Sequence, residues 1–151
     1  EILIGLVGSE MCIRDRKYGG EYDLYNLPAY EEMQVRQIGF MNPQREKNYY
    51  GFWDESILVG FVNILEEKEE VFIGIGVNPD LCNKHYGQRM LLITYEISKK
   101  LYPNKPLYLE VRTWNIRAVK CYQKAGFRID GQAYELTTGI GTGTFYRMIR
   151  E

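Results

Sequence analysis

The chain has 151 residues, 45% of them hydrophobic and 26% charged, with a formal net charge of -1. That is the length and balance of one globular domain with a sizeable core, and the near-zero charge provides no global basic field to hold nucleic acid or an anionic lipid surface. The three cysteines, Cys12, Cys82 and Cys121, form no C-x-x-C pair, which argues against a zinc site or a disulfide framework and fits a reducing cytoplasm. No metal is expected.

Residues 1–16, EILIGLVGSEMCIRDR, fit the rest poorly and resemble a translated sequencing-adapter segment, which sets the domain at 17–151. The competing reading makes Ile2 to Val7 the first strand, and both hold if a foreign segment fills that strand's place. This apolar run is too short to span a bilayer and lacks the basic start of a secretory signal, so no membrane contact is expected.

Pro28 followed by AYEEMQVRQIGF predicts a helix with Pro in its first turn and Gly39 near its end. Asn48 to Trp53 is aromatic and extended, the turn Asp54-Glu55-Ser56 follows, and Ile57 to Leu65 completes a hairpin. The acidic stretch Glu66 to Glu70 is a solvated turn. Val71 to Val77 is then a strand with Val71, Ile73, Ile75 and Val77 on one face and Phe72, Gly74 and Gly76 on the other. Asn78-Pro79-Asp80 ends it. The spacing of Tyr86, Met90, Ile93, Ile97 and Leu101 predicts a helix over Lys84 to Leu101, and Pro103 and Pro106 bracket the next loop. Leu107 to Arg112 is a strand with Leu107, Leu109 and Val111 facing one way and Tyr108, Glu110 and Arg112 the other. Asn115 to Ala125 is a helix closed by Gly126. Ile129 to Leu136 and Thr144 to Ile149 read as two final strands, the last exposed and able to pair in a homodimer. The order predicts an α/β domain, a mixed sheet with helices packed on it. The thirteen tyrosines are expected to serve core and sheet packing.

Chemistry concentrates in two places. Gly74 and Gly76 weaken a strand unless it must splay or let something approach, and a splayed strand has backbone groups to offer an extended ligand. The loop then feeds a helix N-terminus at Lys84-His85-Tyr86-Gly87, where N–H groups and a partial positive charge suit phosphates. Glycines in strands and at helix starts also serve ordinary packing. The second place is LYLEVRTWNIRAVKCYQKAGF, residues 107–127. Here Asn115 reads as a helix cap or a ligand contact, Tyr122 as core or catalyst, and Glu110 as a solvated or a functional carboxylate.

Residues 115–127 resemble the second signature of the GNAT acetyltransferase superfamily, N-x-x-A-x-x-x-Y-x-K-x-G-F, with Asn115, Ala118, Tyr122, Lys124, Gly126 and Phe127 matching. The segment IGVNPDLCNKHYG is similar to the family's coenzyme A loop, V-x-P-x-x-R/Q-x-x-G-x-G, with Val77, Pro79 and Gly87 matching. Similarity covers roughly Tyr49 to Glu151. Two positions depart from the pattern: Cys82 stands for the usual Arg or Gln, and His85 for the loop's first glycine, where a side chain could crowd the pyrophosphate, turn outward or donate to it.

The resemblance implies a single GNAT-like domain, a central, mostly antiparallel sheet flanked by helices, and acetyl-CoA as co-substrate. It implies that the pantetheine arm pairs with the backbone of Ile75, Gly76 and Val77. The pyrophosphate would rest on the amides of Cys82, Asn83, Lys84, His85, Tyr86 and Gly87, and Asn115 would lie near the thioester. The acceptor amine would attack directly, with no covalent enzyme intermediate. A typical amine is charged at pH 7 and must lose a proton first. Glu110 is the candidate base; its spacing to Tyr122 resembles that of the ribosomal-protein N-terminal acetyltransferases. Tyr122 is the candidate acid, a phenol of pKa ~10 facing a thiolate whose conjugate acid lies near ~8.5. The acceptor is an amine-bearing small molecule or peptide. Its side is expected in Tyr30 to Phe40, Tyr49 to Trp53 and Tyr134 to Tyr146, with Glu31, Glu32 and Glu135 suiting a cation or simply solvated. A non-catalytic acyl-CoA sensor of the same fold is the rival reading. A nucleic-acid module is not supported, because the basic residues form no run with interleaved aromatics.

Overall fold

The computed structural model describes Ile2–Leu6 and residues 46–151. The helix expected after Pro28, with Tyr30 to Phe40, lies outside the described residues. Backbone contacts divide the chain into two compact units, Glu1–Asn63 with Ile75–Tyr86, and Ile64–Gly74 with Gly87–Glu151.

In the first unit β1 (Ile2–Leu6) pairs antiparallel with β2 (Tyr49–Asp54), which pairs antiparallel with β3 (Ile57–Glu66). The reading of the opening apolar run as a strand therefore holds over Ile2–Leu6. Glu55, in the β2–β3 turn, takes the left-handed φ of 55° that short hairpin turns call for. Alternation buries Leu58 and Val62 along β3, with Phe52 of β2 beside them. Beyond β3 the acidic turn closes through the Glu67 N–H donating to the Glu70 carbonyl at 2.8 Å. The chain then enters β4 (Val71–Val77), which neighbours β3.

The second unit holds β5 (Leu107–Arg112), β6 (Arg128–Ile129), β7 (Tyr134–Thr138) and β8 (Gly141–Arg150), with helices α1 (Tyr86–Leu101) and α2 (Ile116–Lys124). β4 pairs parallel with β5, over Val71↔Leu107 and Phe72↔Tyr108, where the pairing ends. β5 pairs antiparallel with β8 from Leu107↔Arg150 to Arg112↔Phe145, and β8 pairs antiparallel with β6 and β7. The sheet is mixed and mostly antiparallel. Its core gathers Val71, Ile73, Met90, Leu91, Leu109 and Met148, all essentially inaccessible, at about 1.5–3 kcal/mol per buried side chain. Arg150 ties both helices to β8: one guanidinium nitrogen donates to the Ala125 carbonyl at 2.8 Å, and the group lies 3.6 Å over the Tyr95 ring.

Four expectations are corrected. The strand expected over Ile129 to Leu136 is two strands, β6 and β7, because Gly131 turns the chain with φ 74°. The last strand, β8, is no exposed edge, since β5 lies on one side and β6 and β7 on the other. Helix α1 starts at Tyr86, not Lys84, because Asn83 and His85 take left-handed φ values of 66° and 64°. Its buried residues are Met90, Leu91, Thr94 and Ser98, while Leu101, expected on the apolar stripe, is 50% exposed. Thr94 goes inward because its hydroxyl donates to the Met90 carbonyl at 2.7 Å and so needs no water.

Candidate active site

Ile75, Gly76, Val77, Cys82, Asn83, Lys84, His85 and Tyr86 belong to the first unit. After β4, Asn78 is buried and organises the loop. Its backbone N–H donates to the Val59 carbonyl at 2.7 Å and its side-chain oxygen accepts from the Asp80 N–H at 3.1 Å. Its carbonyl accepts from the Leu81 N–H at 2.9 Å. Pro79–Leu81 is thereby wound into one 3-10 turn, and Cys82 follows in extended backbone. The left-handed Asn83 and His85 then deliver the chain into α1, with Asn83, Lys84 and His85 exposed. Left-handed backbone is what glycine adopts without steric cost, so the geometry at His85 accounts for a loop pattern with glycine there. Tyr86 does more than line this loop: its hydroxyl donates to an Asp54 carboxylate oxygen at 2.6 Å. Gly76 is also reassigned in part. A Cβ there would meet the Phe61 ring at 2.7 Å, so the absent side chain makes room for a neighbouring ring, not for a ligand on that face.

Gly87, Glu110, Asn115 and Tyr122 belong to the second unit. Asn115 is 6% exposed and caps α2, its side-chain oxygen accepting from the Ala118 N–H at 3.2 Å. Half-buried Tyr122 lies in α2, and its carbonyl accepts from the N–H groups of Ala125 at 3.1 Å and Phe127 at 3.0 Å. Gly126 closes the helix with φ 92°, beside Arg150. Glu110 is half-buried on β5, and among the described residues its carboxylate is hydrogen-bonded by the Tyr134 hydroxyl. Burial raises the Tyr134 phenol above its ordinary range; the hydrogen bond to Glu110 and that carboxylate's charge add to the rise, and Arg147 opposes it. Tyr108, on the same face of β5, is raised likewise by burial and by its 2.7 Å bond to Glu67. Tyr134 and Asn78 were legible only as the edge of an acceptor region and as the end of a strand. Their places rest on pairings far along the chain, Tyr134 with Glu110 24 residues away and the Asn78 side-chain amide with the Leu58 carbonyl 20 residues away, which no local pattern marks.

The family model described as Acetyltransferase (GNAT) family matches residues 13–127, well over half of the chain. The chain belongs to the GNAT acetyltransferase family. Solved structures share its fold. A chimera of the Vibrio cholerae spermidine N-acetyltransferase SpeG and hSSAT aligns with a TM-score of 0.74 at 16% identity, over 98% of this chain and 93% of the other. The Escherichia coli ribosomal-protein-S18-alanine N-acetyltransferase aligns with a TM-score of 0.67 at 18% identity, over 99% and 92%. A Bacillus subtilis acetyltransferase in complex with CoA aligns with a TM-score of 0.60 at 19% identity, over 98% and 95%. At these identities the likeness is one of fold. Sequence comparison with curated proteins finds no match.

For a GNAT acetyltransferase, the second signature thus maps onto one physical object. Asn115 opens α2 as its cap, Tyr122 lies in its last turns, Gly126 ends it, and Phe127 is buried beyond it.

Proposed function

We propose that this chain is an acetyl-CoA-dependent N-acetyltransferase that moves an acetyl group directly onto a primary amine of a small molecule or peptide. The observation that carries the reading is the β5–α2 unit, which has a half-buried carboxylate at Glu110, a capped helix start at Asn115 and a phenol-bearing residue at Tyr122. The left-handed loop from Cys82 into α1 and the early end of the β4–β5 pairing support binding of the co-substrate. So does the CoA complex formed by a neighbour of the same fold. The spermidine and ribosomal-protein N-acetyltransferases among the neighbours support an amine acceptor.

Bound acetyl-CoA supplies the acetyl thioester. The backbone of Ile75, Gly76 and Val77 would take the pantetheine arm, and the amides from Asn83 to Gly87, with Lys84 beside them, would take the pyrophosphate, the Cys82 N–H being turned to the Pro79 carbonyl at 3.4 Å. In this reading Asn115 would contact the arm near its thioester end. Glu110 accepts the proton of the acceptor nitrogen, so that a neutral amine attacks the carbonyl carbon. As the carbon–sulfur bond breaks, Tyr122 gives its phenolic proton to the departing sulfur.

The test is thiol release from acetyl-CoA across a panel of amines. Amine-dependent release is expected, with Tyr122→Phe losing roughly a hundredfold or more in turnover, the low end of what general acid catalysis contributes. That variant keeps acetyl-CoA binding, read as an unchanged ligand-induced rise in unfolding temperature. Binding without turnover for every amine would make the chain a sensor instead. Full turnover in Tyr122→Phe would remove Tyr122 as the acid.

A further inference from the structure

We infer that Tyr134 is a positioning residue for Glu110, holding that carboxylate through a hydrogen bond from its hydroxyl. The inference rests on Glu110 being the base.

Cross-strand register makes another partner the obvious one. Glu110 stands directly opposite Arg147 in the β5–β8 ladder, and opposite charges so placed ordinarily pair. Here the guanidinium is engaged elsewhere. Two of its nitrogens donate to the two carboxylate oxygens of Glu70, and a third donates to Asp130 at 3.2 Å. Its plane lies 4.2 Å from the centroid of the Tyr108 ring. Glu110 thus loses its natural cation and receives a neutral donor from β7, 24 residues away in the chain.

The difference matters for a base. An ion pair with arginine would hold the carboxylate and quench its basicity together. A phenol hydrogen bond fixes the rotamer too, but it brings no positive charge and so lowers the basicity less. Because burial and the adjacent carboxylate push the Tyr134 phenol upward, it remains a donor at neutral pH.

Among the described residues, the neighbouring titratable and charged groups on β5 have contacts of their own. Tyr108 and Arg112 flank it on β5; Tyr108 donates to Glu67, and the Arg112 guanidinium lies 4.8 Å over the Phe145 ring. Glu70 and Asp130 are the two carboxylates that Arg147 binds.

The experiment is the pH profile of kcat/KM for wild type, Tyr134→Phe and Glu110→Gln, with the best amine of the panel. Losing the donor disfavours the carboxylate, so the acidic limb of Tyr134→Phe should move to higher pH, with kcat/KM below that limb falling severalfold relative to wild type. The KM for acetyl-CoA and the unfolding temperature should stay at wild-type values, which a merely structural role would not predict. Glu110→Gln should lose the limb together with most of the turnover. If Glu110→Gln is inactive while Tyr134→Phe keeps both its limb and its rate, the inference falls and the base stands. If Glu110→Gln runs at the wild-type rate with the limb intact, the base assignment falls and the inference with it.

Discussion

At His85 the backbone is left-handed, with φ 64°, and the side chain is exposed. An L-residue in that region costs about 1–2 kcal/mol, although histidine is among the more tolerant types. Glycine removes the cost but adds back roughly 0.5–1 kcal/mol of unfolded-chain entropy. His85→Gly should therefore stabilise the fold slightly, by about 0.5 kcal/mol, raising the calorimetric midpoint by roughly 1–2 °C. A lower midpoint would mean that the imidazole makes a contact worth more than the strain. The departure of His85 from the family's loop pattern was visible in the chain, but its backbone angle was not. The places of Glu110, Asn115 and Tyr122 on one strand–helix unit were legible for the opposite reason, since that spacing is local. Tyr134 was not, because a strand tyrosine gives no sign of which carboxylate it will meet across the sheet.

Among the elements, β4 shows how a glycine can be correctly singled out for an incomplete reason. The Phe61 ring occupies the place of a Gly76 side chain and lies 6.3 Å from the Tyr49 ring, centroid to centroid. Gly76→Ala must displace that ring, and overpacking of this kind costs about 1–3 kcal/mol. Urea unfolding should register that loss, and Phe61→Leu in the same chain should recover part of it, because the two positions share one contact. Additive losses in the double variant would place the cost elsewhere on the strand. Strands were otherwise the easier elements to read, since alternation marks β4 and β5 directly. The face of α1 was harder. Its inward Thr94 and Ser98 are polar, and only the structure reveals that Thr94 satisfies its hydroxyl within its own helix. A stripe drawn from apolar residues alone is rotated toward Leu101, which is half exposed.

For the molecule as a whole, the fold class was legible because alternating strand and helix patterns admit few arrangements. The ionic network of the second unit was not, because it joins the turn before β4 to β8 across most of the chain: Arg147 and Glu70 are 77 residues apart. The same unit has an alkaline weakness. Tyr108 and Tyr134 are both raised above the ordinary tyrosine range, first by burial and then by neighbouring carboxylates. Folding therefore favours their protonated forms. Below pH ~10, where the unfolded chain's tyrosines also keep their protons, this contribution to stability is complete. Above it the unfolded chain releases protons that the folded one retains, so stability falls as pH rises toward the folded values. Each group can add at most ~1.4 kcal/mol per pH unit to that fall, less for side chains that water still reaches. Denaturant unfolding at successive pH values from ~9 to ~11 should show the decline in wild type, and a shallower one in the double variant Tyr108→Phe, Tyr134→Phe. The two curves should differ in slope, not merely in height. Parallel curves would mean that other tyrosines carry the alkaline loss and that the two phenols ionise in the folded protein as readily as in the unfolded chain.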